Sequence, residues 1–183
     1  FMRPVDLPED KLNGARLIGF FPGSTIGNLT DAEIKKFLDN TREMLGDRGL
    51  LVIGYDLAKD PAVLEAAYDD AGGATARFNL NLLERINREL GGNFDPGGFR
   101  HHAVWNAEAS RVEMHLVSER DQSVQIDGVD ISFSKDETIH TENSRKFVED
   151  KASALFRTAG WSLLKTLSDE KKMFAVSVLE PAG

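Results

Sequence analysis

Leu17-Ile18-Gly19-Phe20-Phe21-Pro22-Gly23-Ser24-Thr25-Ile26-Gly27-Asn28-Leu29 is the stretch on which the fold turns. A short continuous apolar run, stopped at once by Pro-Gly-Ser, predicts a buried central strand over 17–21. The residues after it predict a helix. Thr30 and Glu33 stand in capping-box spacing, and Ile34, Phe37, Leu38, Thr41, Met44 and Leu45 fall on one face. Gly46 and Gly49 stop that helix, and 50–53 reads as a second buried strand ending at Gly54-Tyr55-Asp56. Strand, helix, strand, with a loop after each strand, is a parallel βαβ unit, and the class is α/β. In such sheets ligands bind beyond the carboxyl ends of the strands, so the loops 22–29 and 55–61 are the first to examine.

Outward from this unit the pattern changes twice. Residues 3–14 read as an irregular lead-in. Asp60-Pro61 predicts a capped helix with Val63, Leu64, Ala67 and Ala71 inward, ended by Gly72-Gly73. A second helix is expected over 76–90, with Leu83, Ile86 and Leu90 inward. From 101 to 142 the period becomes two: Val112, Met114 and Leu116 alternate with Glu113, His115 and Val117, and a turn falls near Gly128. Residues 147–159 return to helix, and strands over 161–167 and 173–179 close the chain. The expected organisation is an α/β core over 1–59 and 145–183, interrupted by a lobe over 60–144.

The composition narrows the classes. The chain has 183 residues, 22 Lys+Arg against 30 Asp+Glu, a net charge of −8 and no cysteine. An acidic balance argues against tracking a phosphate backbone, so no nucleic-acid partner is expected. No apolar run reaches the length of a membrane span, so no membrane partner is expected, and neither is a leader. A cytoplasmic protein is the expectation. Without cysteine there is no thiol nucleophile and no cysteine zinc site. His101, His102, His115 and His140 show no HExxH spacing; His101 and His102 point to opposite sides of a strand, and His115 points outward. No metal site is expected. No nucleophile elbow occurs either.

Three places remain open between chemistry and plain structure. Gly23 and Gly27 allow close backbone approach to a ligand and Asn28 offers a donor and an acceptor, yet the same residues suit an ordinary turn. Tyr68 can present its hydroxyl to a cleft or pack with a wet tip; the adjacent Asp69-Asp70 reads as solvated charge. Glu142 and Ser144, two residues apart, suit an imidazole, but Ser144 is also a good N-cap for the next helix with Glu142 near its positive end.

Phe20-Phe21-Pro22-Gly23-Ser24-Thr25-Ile26-Gly27-Asn28-Leu29 closely resembles the signature of histidine-specific N-alpha-methyltransferases of ergothioneine biosynthesis. The likeness continues through Asp60-Pro61-Ala62-Val63-Leu64, Tyr68, Phe78-Asn79-Leu80-Asn81-Leu82-Leu83 and Arg85-Ile86-Asn87-Arg88-Glu89-Leu90. It resumes at Glu113-Met114-His115-Leu116 and Ile139-His140-Thr141-Glu142-Asn143-Ser144. The resemblance implies the C-terminal part of a Rossmann-like class I methyltransferase sheet with an inserted α+β substrate-binding lobe. It implies S-adenosylmethionine as cofactor and trimethylation of the L-histidine α-amine to hercynine. Carried over, Asn28 and Tyr68 bind the carboxylate end, and Glu142 and Ser144 grip the imidazole. Phe78 and Met114 line the pocket, Gly23 leaves room for accumulating methyl groups, and Asn143 belongs to the same motif. No covalent catalytic residue is implied; the work is positioning and desolvation of a neutral amine.

One departure matters. In this family the cofactor is held mostly upstream of the Phe-Phe-Pro-Gly-Ser-Thr stretch, and the opening Phe1-Met2 reads as a cut edge. The cofactor-binding residues are therefore expected mostly outside this chain, and a second polypeptide carrying the N-terminal half is the expected partner. The alternatives are a histidine-binding module without methyl transfer, and a methyltransferase acting on an indole amino acid, against which Met114 with Glu142 leans.

Overall fold

The computed structural model describes Val5, Leu7 and residues 14–183, so the expected lead-in lies almost wholly outside the described residues. In chain order the elements are β1 (Ile18–Phe21), α1 (Asp31–Leu45), β2 (Leu50–Asp56), α2 (Pro61–Tyr68), α3 (Ala74–Leu90) and β3 (Phe99–Asn106). Then come β4 (Arg111–Ser118), β5 (Gln122–Ile126), β6 (Val129–Phe133), β7 (Thr138–Arg145), α4 (Glu149–Thr158), β8 (Trp161–Ser168) and β9 (Phe174–Pro181). They divide into two compact units, Phe1–Lys59 with Arg145–Gly183, and Asp60–Ser144.

The first unit is built on the sheet β1-β2-β9-β8. β1 and β2 pair in parallel from Ile18↔Leu50 to Phe21↔Ile53, with α1 as the crossover. α1 starts as its sequence dictates: the Thr30 side chain accepts from the Glu33 amide at 3.3 Å, and the Glu33 carboxylate accepts from the Thr30 amide at 2.8 Å. Ile34, Phe37, Leu38, Thr41 and Leu45 bury against the sheet, while Met44 is half-buried at the margin. β9 enters between β2 and β8, antiparallel to both. Trp161 is fully buried and donates its indole N–H to the Leu38 carbonyl at 3.1 Å, locking β8 onto α1.

Among the described residues β1 has β2 as its one neighbour in the sheet, which agrees with the expectation of an apolar strand that lacks its flanking strands on one side; Ile18 and Phe20 are 61% and 70% exposed. Only the Phe21 side reaches the core, where its ring lies 4.4 Å from that of Phe37. An apolar run that reads as central is here a sheet edge with one face open, the kind of edge that other strands pair with.

The second unit holds the sheet β3-β4-β7, the ribbon β5-β6, and α2 and α3. β3 and β4 pair antiparallel from Phe99↔Ser118 to Asn106↔Arg111. The β5–β6 turn uses Asp127 and Gly128, both at positive φ (48° and 79°), which the right-handed twist of a tight hairpin favours. Leu83, Phe94, Phe99, Leu116 and Val124 form one buried cluster, and Leu64, Ala103 and Val112 a smaller one with Tyr68 and Trp105 against it.

Several helix expectations need correction here. α2 stops at Tyr68, four residues before Gly72, and of its expected stripe only Leu64 is buried; Val63 is 46% exposed. Leu90 is also exposed, because it lies in the last turn of α3, beyond the sheet it covers. Asp70 is not mere solvated charge. Its carboxylate accepts from the Thr75 amide at 2.8 Å and the Ala74 amide at 2.9 Å, serving as the cap that Gly73 lacks. Those bonds, Thr75's first, pull its pKa down to about 2. The folded value lies below the unfolded one, so this stabilisation is complete above about pH 4 and lost as pH falls through about 2. Thermal midpoints of the native chain and Asp70→Ala should therefore differ at neutral pH and converge near pH 2; a gap that stays constant over that range would remove this role.

No helix among the described residues is long and apolar enough to cross a membrane.

Candidate functional site

The loop after β1 owes its shape to the chain around it. Ser24 sits at φ 60°, a conformation that costs a non-glycine residue, and is held there from two sides. Its amide donates to the Gly54 carbonyl at 3.2 Å, and its hydroxyl accepts from the Asp56 amide at 2.9 Å. The 3-10 turn Thr25–Asn28 follows, with Ile26 and Gly27 buried. The two glycines have different reasons. A Cβ on Gly27 would stand 2.8 Å from the Arg145 carbonyl oxygen, so its close approach is to this chain's own backbone and not to a ligand. Gly23, at φ +76°, has open space around it. Asn28 ends the turn on the exposed side.

Beneath this loop Asp56 closes β2 with an ion cluster. Its carboxylate meets Lys59 at 2.6 Å and Lys146 at 2.8 Å, and the Lys146 side chain is completely buried. The bridge Leu57↔Phe147 and the bond from the Ala58 amide to the Phe147 carbonyl (2.9 Å) tie the same two segments together. Sequence reasoning missed Lys146; a lysine between Arg145 and Phe147 carries no signal that it will be buried.

In the second unit the structure brings together Tyr68 and Ser144. The Tyr68 ring packs on Ala103 and Val112, and Met114, opposite Ala103 in the β3–β4 register, is buried. The Tyr68 hydroxyl and Ser144 hydroxyl lie 2.6 Å apart, so a ligand at this place must share or replace that bond. Ser144 is 5% exposed and belongs to β7. It does not cap the next helix: the N-cap of α4 is Val148, and Glu142 also lies in β7, away from any helix start. The polar run is a strand, with the Ser144 side chain buried in it. Asn143, between Glu142 and Ser144, has a buried side-chain oxygen without a hydrogen-bond partner. The Phe78 ring, on α3, is 63% exposed within its unit.

A second network, unforeseen from the sequence, supports Tyr68 from behind. Asn79 is fully buried, and its Nδ2 donates to His101 Nδ1 at 3.0 Å and to the His115 carbonyl at 3.1 Å. His101 Nε2 in turn donates to the Tyr68 carbonyl at 2.8 Å. A carbonyl only accepts, so the network assigns the proton to Nε2. His101 thereby satisfies a carbonyl at the end of α2 and joins it to α3 and β4. The signal available beforehand was an Asn in a helix whose neighbours are apolar.

Residues 4–181 match the sequence profile described as histidine-specific methyltransferase, SAM-dependent. The chain belongs to that family. A histidine N-alpha-methyltransferase of Mycobacterium tuberculosis is 40% identical over 167 residues, which are 90% of this chain and 52% of that protein. The chain thus spans about half the length of this curated relative. An L-tryptophan methyltransferase of Psilocybe serbica is 30% identical over 166 residues, covering 85% of this chain and 44% of that one. Among solved structures, the CcbJ methyltransferase from Streptomyces caelestis superposes with a TM-score of 0.50 at 14% identity, covering all of this chain and 62% of that one. The fold is accordingly Rossmann-like α/β, as in the class I methyltransferases, and the sheet β1-β2-β9-β8 is the part of it carried here.

The family's cofactor does not fit the described residues on their own. At the carboxyl ends of β1 and β2 the Ser24 hydroxyl is engaged by the Asp56 amide, and the Asp56 carboxylate by two lysines. No acidic side chain there is left for a ribose. The Gly23 backbone has open space beside it, which makes one flank of a site.

Proposed function

We propose that this chain is the histidine-binding part of a cytoplasmic enzyme that methylates the α-amino group of L-histidine three times with S-adenosylmethionine, yielding hercynine in ergothioneine biosynthesis. The observation that carries the reading is the Tyr68–Ser144 hydroxyl pair at 2.6 Å, with Glu142 two residues before Ser144 on β7. Glu142 accepts from one imidazole nitrogen and Ser144 serves the other. Asn28 and Tyr68 hold the carboxylate end, Phe78 and Asn143 complete the pocket, and Gly23 leaves room for methyl groups. These residues orient the amine and exclude water; an ammonium has no lone pair, so the amine must be neutral before each transfer. S-adenosylmethionine supplies the methyl group on a sulfonium.

The cofactor half is assigned to a second polypeptide that extends the sheet at β1. The exposed Ile18 and Phe20 and the double length of the mycobacterial relative support it. The test mixes the chain with a separately expressed amino-terminal half of that relative, L-histidine and labelled S-adenosylmethionine. Turnover only in the mixture, with a one-to-one complex by native mass, is expected. Turnover by the chain alone would refute the second polypeptide, and histidine binding without turnover in any mixture would leave a binding module. The similarity to a tryptophan methyltransferase favours one other reading, an indole amino acid as substrate. Preferential methylation of tryptophan in the same assay would establish it.

A further inference from the structure

Glu113 and His115 stand two residues apart on β4 and so project to one face. β7 lies beside β4 in the sheet and sets the His140 ring over that of His115, with centroids 4.7 Å apart. The three residues can each offer one ligand atom, all within 4.8 Å of one another. Sequence spacing hides this set, since His140 is separated from the other two by a whole hairpin. His115 alternates with buried Met114 and Leu116 as expected, and its side chain is 15% exposed.

The details fit a cation better than a simple polar cluster. Glu113 Oε1 is occupied by Arg111 Nε at 2.8 Å and Asn106 Nδ2 at 2.9 Å. Its other oxygen faces His115 Nε2 at 3.4 Å, long for a charge-assisted hydrogen bond. Two ligand atoms about 2.1 Å from a tetrahedral zinc ion stand about 3.4 Å apart, so this spacing is that of two ligands on one metal. His115 Nδ1 is buried with no hydrogen-bond partner. His140 Nε2 donates to the Glu142 carbonyl at 3.2 Å, which leaves a lone pair on its other ring nitrogen.

We propose that Glu113, His115 and His140 bind one divalent first-row transition-metal ion, zinc by choice of ligands, on the β4–β7 face. Two imidazoles and a carboxylate suit zinc, with water completing the tetrahedron. Arg111 and Asn106 orient the carboxylate from its far oxygen, and the Glu142 carbonyl orients His140. The ion would join β7, which carries Glu142 and Ser144, to β4 at a point separate from those side chains' own proposed work.

The test uses the untagged chain and zinc chloride alone. Calorimetry should give one ion per chain, a raised thermal midpoint, and shifts of the His115 and His140 ring resonances. His140→Ala, an exposed substitution, should weaken binding roughly tenfold or more, and Asn106→Ala by about tenfold through loss of orientation. His102→Ala is the control: His102 faces His115 in the β3–β4 register but is outside the proposed set, so binding should persist. Absence of binding, undiminished binding in His140→Ala, or equal loss in His102→Ala would each overturn the proposal.

Discussion

Asp56→Ala is expected to cost about 3–5 kcal/mol of folding stability, because it strips a carboxylate from a fully buried lysine side chain. The Lys146 side chain is fully buried and 2.8 Å from Asp56, while Lys59 reaches the other oxygen at 2.6 Å. Removing the acid takes from both ammonium groups the carboxylate they share. The effect should be local as well as global. Asp56 also donates its amide to Ser24, whose left-handed backbone shapes the turn that ends at Asn28. Denaturant unfolding of Asp56→Ala measures the cost. The double variant Asp56→Leu with Lys146→Met should recover most of it, since apolar groups of similar volume replace a buried ion pair at little penalty. A single-variant loss under about 1 kcal/mol, or no recovery in the double, would show that the cluster is solvated in practice.

The same pair of segments shows what a sequence can and cannot reveal. The βαβ unit is legible because its signals are local: an apolar run, a capping box three residues wide, a helical stripe, a second apolar run. The hairpin at Asp127-Gly128 is legible for the same reason. The misreadings share an opposite cause. Ser144 looks like a helix cap because caps are polar and adjacent to helices. Its real place, buried in β7 against the Tyr68 hydroxyl, depends on a contact 76 residues away in sequence. Asp70 looks like surface charge because nothing nearby announces that the amides of the next helix will turn to it. The candidate ligands in the loop and in β7 came from resemblance, and spacing alone had left each of them balanced against a plain structural role.

Glu142→Ala should weaken histidine binding by roughly ten- to a hundredfold, about 1.5–3 kcal/mol, while cofactor affinity stays near its original value. The carboxylate is assigned to an imidazole N–H, and a charged acceptor facing a buried donor is worth more than a neutral one. Glu142→Gln keeps an acceptor without the charge and should fall between the two. Ser144→Ala acts on the other ring nitrogen, and it also deprives Tyr68 of the partner 2.6 Å away; Tyr68→Phe removes the same bond from the opposite side. If the two hydroxyls act as one unit, the double variant should lose less than the sum of the singles. Specificity gives the sharper measure. An indole offers a single N–H and no second ring nitrogen, so a site with both Glu142 and Ser144 leaves one group unpaired and should reject it. Calorimetry on the recombined protein, with histidine, tryptophan and cofactor titrated separately, resolves these terms. Equal losses for histidine and cofactor in Glu142→Ala would mean the substitution disturbs the fold of β7, and a preference for tryptophan that survives it would move the substrate to the indole class.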